Sequence, residues 1–433
     1  MFRLFLPLFA ALPASAAPTF TREVAPILYR HCASCHHRGE VAPFPLITYQ
    51  ESARWAKLIA RVTAKRQMPP WKPAPGYGHF AGERRLSDAE IRTLAAWAEA
   101  GAPEGDPSAL PPPPVFDNEW RLGKPDLILR VRRPYVAPAR GKDTYRCFVV
   151  PTALDRNRWV RAVEFKPSNR SVVHHALLFL DAGHASQRLD PRGEGYSCFG
   201  TPGFLPSGAL GGWSPGSGPV EMYPGTAVLL PRGAFIVVQE HFHPRSEDQT
   251  EQAAIALYFT EAAPSRHVVD VGLVSRDIDI PPGERAYKVR DHFVLPVDVH
   301  AVGIIPHAHY ICKDVKGWAT LPSGERVWLI WIDDWDFDEQ EQYRYVEPVA
   351  LPAGTRLEME FTYDNSVANP HNPSFPPKRV TWGAGSTDEM AGLHIQVIPD
   401  REDDLPELGR ALWGKIMRMA GGRFYHPPAA AAK

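Results

Sequence analysis

The sequence predicts a multidomain chain, an N-terminal all-α domain followed by two all-β sandwich domains. Three observations carry this reading. Apolar residues between 18 and 105 recur at helical spacing. Four consecutive prolines, Pro111 to Pro114, then mark an extended spacer. From Trp120 to about Pro399 the spacing shortens to a period of two, with turn residues between the runs. The 45 prolines among 433 residues favour short strands and ordered loops over long helices.

Each element follows in order. Residues 1–16 read as a secretory signal, with Arg3, an apolar run from Leu4 to Leu12, and Ala14, Ser15 and Ala16 as the cleavage site. The mature chain is therefore expected near Ala17, periplasmic or secreted. No run approaches the ~20 apolar residues of a membrane span. Residues 18–105 form the expected helical domain. Phe20, Val24, Ile27 and Leu28 make a first helical stripe. Ser87 and Glu90 form a capping box with Leu86 and Ile91 as staple, and Ile91, Leu94, Ala95 and Ala98 line the helix up to Gly101. Proline-rich chain from Pro103 to Pro114 places a linker at 106–119. Residues 120–265 and 266–400 form the two expected sandwiches. Leu357, Met359, Phe361 and Tyr363 alternate with polar residues as a half-buried strand, and Val327 to Ile332 read as a buried one. Residues 401–433 form a tail with a helix around Leu408 to Met419.

The apolar fraction of 44% supports real cores, and a net charge of −1 argues against nucleic acid or an anionic membrane as partner.

Cys32, Ala33, Ser34, Cys35 and His36 spell C-x-x-C-H, the attachment motif of covalent haem c. The cysteines form thioethers and His36 sits under the iron. The adjacent His36 argues against a redox dithiol, and the lack of a second C-x-x-C argues against zinc. The motif between two helices makes residues 20–105 resemble a small cytochrome c. Met68, before Pro69, Pro70 and Trp71, is the expected sixth ligand, with His79 or an open position as alternatives. Export agrees, because this haem is attached outside the cytoplasm. Cys147, Cys198 and Cys312 remain, enough for one disulfide and an odd thiol.

A second metal system is written in the strand half: His174 with His175, His241 with His243, His307 with His309, and Met390. Residues two apart share a strand face, so His307 and His309 project together. Pro306 before them implies an edge or a strand start. Met390 shares a face with Gly392, His394 and Gln396, opposite Leu393, Ile395 and Val397. A thioether on the polar face reads as a soft ligand. Two imidazoles and a thioether suit copper cycling between its two states. His174 and His175 can bind one ion only at a strand end or bulge. His241 could complete that site, and spacing alone leaves His243 open.

These landmarks resemble the copper type II ascorbate-dependent monooxygenases: Val173 to Leu177, Val238 to Pro244, Pro306 to His309, and Gly385 to Met390, in the family's order. The resemblance spans roughly 120–400 and implies two jelly-roll-like sandwiches with one copper on each. It makes His174, His175 and His241 the electron-transfer site. His307, His309 and Met390 become the catalytic oxygen site, and His243 is no ligand. Cys147 and Cys198 fall where the family places a disulfide. Two features depart from the peptide-acting member. Ile305 stands in place of its carboxylate-binding arginine, and Gly392 and His394 replace its asparagine and tyrosine.

The expected protein is thus an exported haem–copper monooxygenase that hydroxylates an activated C–H bond of a small organic substrate with O2. Covalent haem c and two copper ions are its cofactors, and ascorbate or a redox protein its electron donor. Gln239 and Tyr310 are candidate neighbours of the ligands. The alternative is a non-catalytic envelope protein for electron transfer or copper handling. The complete six-ligand set favours the enzyme.

Overall fold

The computed structural model describes residues 17–40, 42–116, 120–140, 143–214, 217–242, 246–383, 385 and 387–419. The signal segment 1–16, His243 and the tail beyond 419 lie outside them. The chain divides into two compact units, residues 1–71 with 84–117, and residues 72–83 with 118–433.

The first unit holds only short helices: Ala25–His31, Tyr49–Ala53, Ala56–Ala64 and Asp88–Glu99, of 7, 5, 9 and 12 residues. The expected N-terminal all-α cytochrome c domain is corrected here. The chain is mostly β-sheet, and no such domain stands at its start. The helical spacing in the sequence is real but runs for two or three turns at most. Proline-bearing turns at 43–45 and 69–75 separate the runs, and the positive-φ residues Arg66 and Gly101 lie just past the helices Ala56–Ala64 and Asp88–Glu99. The last helix does carry its capping box, with Ser87 accepting from Glu90 N–H and Glu90 from Ser87 N–H. Phe20, Val24, Leu28, Leu94 and Trp97 form a small core. Trp97 Nε1 donates to Pro103 O at 3.0 Å and Tyr49 Oη to Ala102 O at 3.0 Å, so the core closes on the chain that leaves the last helix.

The second unit is built from two pairs of facing antiparallel sheets. In the first pair, one sheet runs Leu127–Arg130, Ala254–Thr260, Arg158–Lys166 and Val220–Glu221, with Val228–Leu230 also on Arg158–Lys166. The other runs Tyr196–Ser197, Thr144–Pro151, Phe235–Phe242, Val173–Asp181 and Gly208–Trp213. Val163, Phe165, Ile255 and Leu257 from one sheet meet Phe148, Leu178, Ile236 and Val238 from the other in one core. A disulfide between Cys147 and Cys198 ties the second sheet to its edge loop.

In the second pair, Val269–Ser275, Ala391–Pro399, Val299–His307 and Tyr343–Leu351 form one sheet. Tyr287–Val294, Arg356–Tyr363, Cys312–Thr320 and Arg326–Ile332 form the other. Leu357, Met359, Phe361 and Tyr363 are all buried, as their alternation predicts. The sheets approach so closely at Gly317 that an added Cβ would lie 2.5 Å from Leu393 Cδ2, so a larger residue would force Leu393 to shift.

Residues 72–83 form a strap on this second pair. Ala74 N–H donates to Trp331 O, Ala81 N–H to Arg344 O, and Val346 N–H to His79 O. Tyr77 sets its edge against Trp328 and Trp331 at 5.0 and 4.5 Å. These two tryptophans explain why Val327 to Ile332 is apolar on both faces: one face meets the core and the other meets the strap. His79, the alternative haem ligand, belongs to this strap. The helix Leu405–Met419 follows the last strand and is held by Lys415, which donates to His292 O at 2.9 Å.

Candidate metal centres

The first cluster grows from three neighbouring strands. Phe235–Phe242 lies between Thr144–Pro151 and Val173–Asp181. His241 is paired directly with Tyr145 on one side and His175 on the other. The register then slips. His241 faces His175 while Phe242 faces Val173, so His174 is one residue too many for the ladder. That extra residue breaks the alternation that would otherwise point His174 and His175 to opposite faces. Their Nδ1 atoms lie 3.1 Å apart. One nitrogen from each of His174, His175 and His241 falls within 4.8 Å of the other two. Nitrogens bound at ~2.0 Å to one ion can lie up to ~4 Å apart, so this trio needs only a slight closure to hold a metal.

Carboxylates stand at the outer edges of two of these rings. His241 is fully buried, and its Nε2 lies 2.9 Å from Asp143 Oδ2. A carboxylate accepts, so Nε2 carries the proton and Nδ1 presents its lone pair. His174 Nε2 lies 3.6 Å from Asp338 Oδ1. Tyr145 stacks on His241 at 4.1 Å and 11°, and burial raises its phenol pKa. Gln239 plays a different part from the one expected. Its Nε2 reaches Cys198 Sγ at 3.4 Å and Thr201 O at 3.3 Å, so it braces the disulfide rather than a histidine.

The second cluster sits at the end of the strand Val299–His307. That strand is flanked on both sides, contrary to the edge position Pro306 implies. Pairing with Tyr343–Leu351 stops at Ile304, however, so Pro306 lies where that side has no ladder to break. His307 pairs with Gly392. A Cβ on Gly392 would lie 3.8 Å from both His307 Cβ and His394 Nε2, so glycine leaves this face open. The His307 and His309 rings stand 5.2 Å apart and nearly perpendicular. His307 Nδ1 lies 2.7 Å from Gln340 Oε1, whose amide nitrogen donates to Phe337 O at 2.9 Å. His309 Nδ1 lies 3.0 Å from Asp388 O. Both partners are acceptors, so both rings are protonated at Nδ1 and offer Nε2. Met390 is half-buried, its carbonyl accepting from Tyr363 Oη at 2.5 Å.

Glu389 joins these ligands. It is fully buried and accepts from the backbone N–H groups of His309 at 2.9 Å, Ile311 at 2.8 Å and Met390 at 3.2 Å. One carboxyl thereby fastens the His309 turn to the Met390 turn. Burial pushes it up to about 8 even against these donors. Tyr310, the other expected neighbour, packs on Phe337 at 4.4 Å. Cys312 is buried and unbridged.

Burial, with His309 close by, lowers the His307 pKa to about 4. In the metal-free protein the unfolded imidazole takes a proton near its ordinary 6.5, while folded His307 waits until about 4. The unfolded state binds more protons between those values, so stability falls as pH drops through that window. Thermal midpoints of the metal-free protein should follow this slope, and His307→Gln should flatten it. An unchanged slope in the variant would refute the assignment.

The C-x-x-C-H residues lie in the first unit. Cys35 and His36 N–H both donate to Cys32 O, at 3.1 and 2.9 Å, in a tight turn. Cys32 and Cys35 are unbridged, and burial pushes the Cys32 thiol up to about 12. His36 Nδ1 lies 2.9 Å from Phe44 O, which leaves Nε2 to face a ligand. Met68 is 43% exposed.

Asp143, Tyr145, Asp338, Gln340 and Glu389 escaped sequence reasoning. Glu389 stood inside a recognised motif, but its bonds to residues 80 positions away carry no sequence signal. Tyr145 is set by strand register alone.

No family model matches this chain. Two curated relatives do. It is 23% identical over 298 residues to DBH-like monooxygenase protein 1 of Gallus gallus, covering 60% of this chain and 45% of the relative. It is 23% identical over 366 residues to the Homo sapiens protein of that name, covering 73% and 56%. The chain thus spans about half the length of these relatives. Among solved structures, the major capsid protein P2 from Bacteriophage PM2 overlays 63% of this chain and 97% of its own at 10% identity, with a TM-score of 0.25. An overlay that loose carries no argument.

Proposed function

We propose, from this distant monooxygenase homology and the two ligand clusters, that the chain is a copper monooxygenase that hydroxylates an activated C–H bond of a small organic substrate. The trio His174, His175 and His241 carries the proposal, because three imidazoles converge from two paired strands at a break in their register. This trio would hold the electron-transfer copper. His307, His309 and Met390 would hold the copper that meets O2. Bound there, copper supplies one-electron storage at each centre and the activation of O2. Electrons would come from ascorbate or a redox protein.

The chain's own residues do the rest. Asp143 and Asp388 O fix the tautomers of His241 and His309, and Gln340 that of His307, so each ring presents one lone pair. The Met390 thioether makes its centre the softer of the two and favours the reduced ion. Glu389 keeps Met390 and His309 in step. Phe337, edge-on to His309 at 5.8 Å, excludes water from one side of that ring. His394 Nδ1 is held 3.0 Å from Asp270, on the face that Gly392 leaves open. With Ile305 in place of an arginine, this pair supports a substrate other than a glycine-extended peptide.

Cys32, Cys35 and His36 would hold a covalent haem, with Met68 as the second axial ligand, and the protein would work outside the cytoplasm. Haem supplies electrons singly, which suits two separated one-electron centres. The free cysteines and the bare His36 Nε2 fit that group. Haem that survives acid-acetone extraction would support the attachment; haem lost on extraction would refute it.

The test of the activity is reaction under 18O2 with copper-loaded protein, reductant and candidate metabolites. Product gaining one labelled oxygen atom is the expected result. Protein that holds two coppers yet consumes oxygen equally with and without any organic substrate would overturn the proposal.

A further inference from the structure

One loop touches ligands of both centres. It spans residues 333–342, between the strands Arg326–Ile332 and Tyr343–Leu351. Trp335 Nε1 donates to His309 O at 3.1 Å, Phe337 packs on the His309 ring, and Gln340 holds His307 Nδ1. Between these anchors, Asp338 leaves its own sandwich and brings Oδ1 to 3.6 Å from Nε2 of His174, on the other. Asp338 is fixed from below, its N–H donating to Asp336 Oδ1 at 3.0 Å. Of the five other acids on the loop, Asp334, Asp336 and Glu339 stand 3.6, 3.5 and 3.7 Å from Lys72 of the strap. The Lys72 side chain is only 17% exposed, so this cation is worth more than a surface ion pair. It offsets the mutual repulsion of three carboxylates within six residues.

We propose that this loop is a bridge fixing the two metal centres relative to one another, with Asp338 as a positioning residue for His174 and Lys72 as the clamp that shapes the loop. The proposal rests on the two-copper reading above. It brings a carboxylate from the other sandwich to His174, as Asp143 already stands on His241. Asp338 faces His174 Nε2 across 3.6 Å, on the same ring atom through which His241 meets Asp143 at 2.9 Å. Any displacement of the loop moves His307, His309 and His174 together.

The experiment loads the full chain with Cu(II) and measures the copper–copper distance by pulsed dipolar spectroscopy, together with copper affinity at each centre by competition titration. Wild type should give one narrow distance distribution. Asp338→Asn should weaken the first centre about 10-fold, as loss of an outer partner does, and leave the second unchanged. Lys72→Met should leave both affinities within about 2-fold and broaden the distance distribution, and Lys72→Arg should restore it. If wild type fails to hold two coppers, the proposed function fails and the bridge falls with it. If two coppers bind and Asp338→Asn and Lys72→Met both match wild type in affinity and distance, the bridge alone is wrong. Lys72→Arg behaving like Lys72→Met would overturn the clamp.

Discussion

Met390→Ile is expected to lower hydroxylation by more than about 100-fold while the three-imidazole centre keeps its copper. The change preserves volume and removes only the sulfur, so it tests chemistry and not packing. Outer partners of a metal site are worth 10- to 100-fold, and a direct ligand should exceed that. Met390 is half-buried and is tied to the His309 turn through Glu389. The checks are turnover with labelled oxygen and metal content at each centre. Loss of copper from both centres would mean a folding defect. Full turnover with one copper missing would place the oxygen chemistry elsewhere.

Glu389→Ala should be the most damaging single change outside the ligands. It strands three buried backbone N–H groups, those of His309, Ile311 and Met390. Each unsatisfied donor costs roughly 1–3 kcal/mol, so a loss of about 3 kcal/mol or more is expected. Denaturant unfolding measures it. The second centre should lose metal affinity and the first should not, because Glu389 touches no residue of the trio. Glu389→Gln is the sharper variant: its amide offers one acceptor where the carboxyl offers two, and turns N–H toward N–H. Wild-type stability in both variants would show that the contacts to His309 and Ile311 carry little weight.

Much of the strand half was legible because period-two alternation survives burial. Leu357, Met359, Phe361 and Tyr363 are buried as the pattern said. The need for a bulge at His174 was also readable, since two adjacent residues cannot share a face on a regular ladder. The start of the chain was read too generously. Short apolar stripes at Phe20 to Leu28 and Ile91 to Ala98 were extended into a whole domain, although the helices between residues 25 and 99 run to 12 residues at most. Residues 72–83 show the same limit from the other side. Nothing local announces that Tyr77 belongs on Trp328 and Trp331, because such packing depends on partners 250 positions away. The groups that tune the ligands, Asp143, Asp338 and Gln340, are ordinary loop residues until the strands are laid side by side.

The supernumerary residue at 174 sets two kinds of fitness against each other. Deleting Val173 would let the strand re-zip without interruption, and the sheet would gain a continuous ladder and lose a weak point. The same repair would rotate one imidazole out of the cluster. Selection for thermal robustness alone should therefore drift toward a sturdier sandwich that can no longer capture its ion, and a library screened only for heat resistance would be the place to watch that happen.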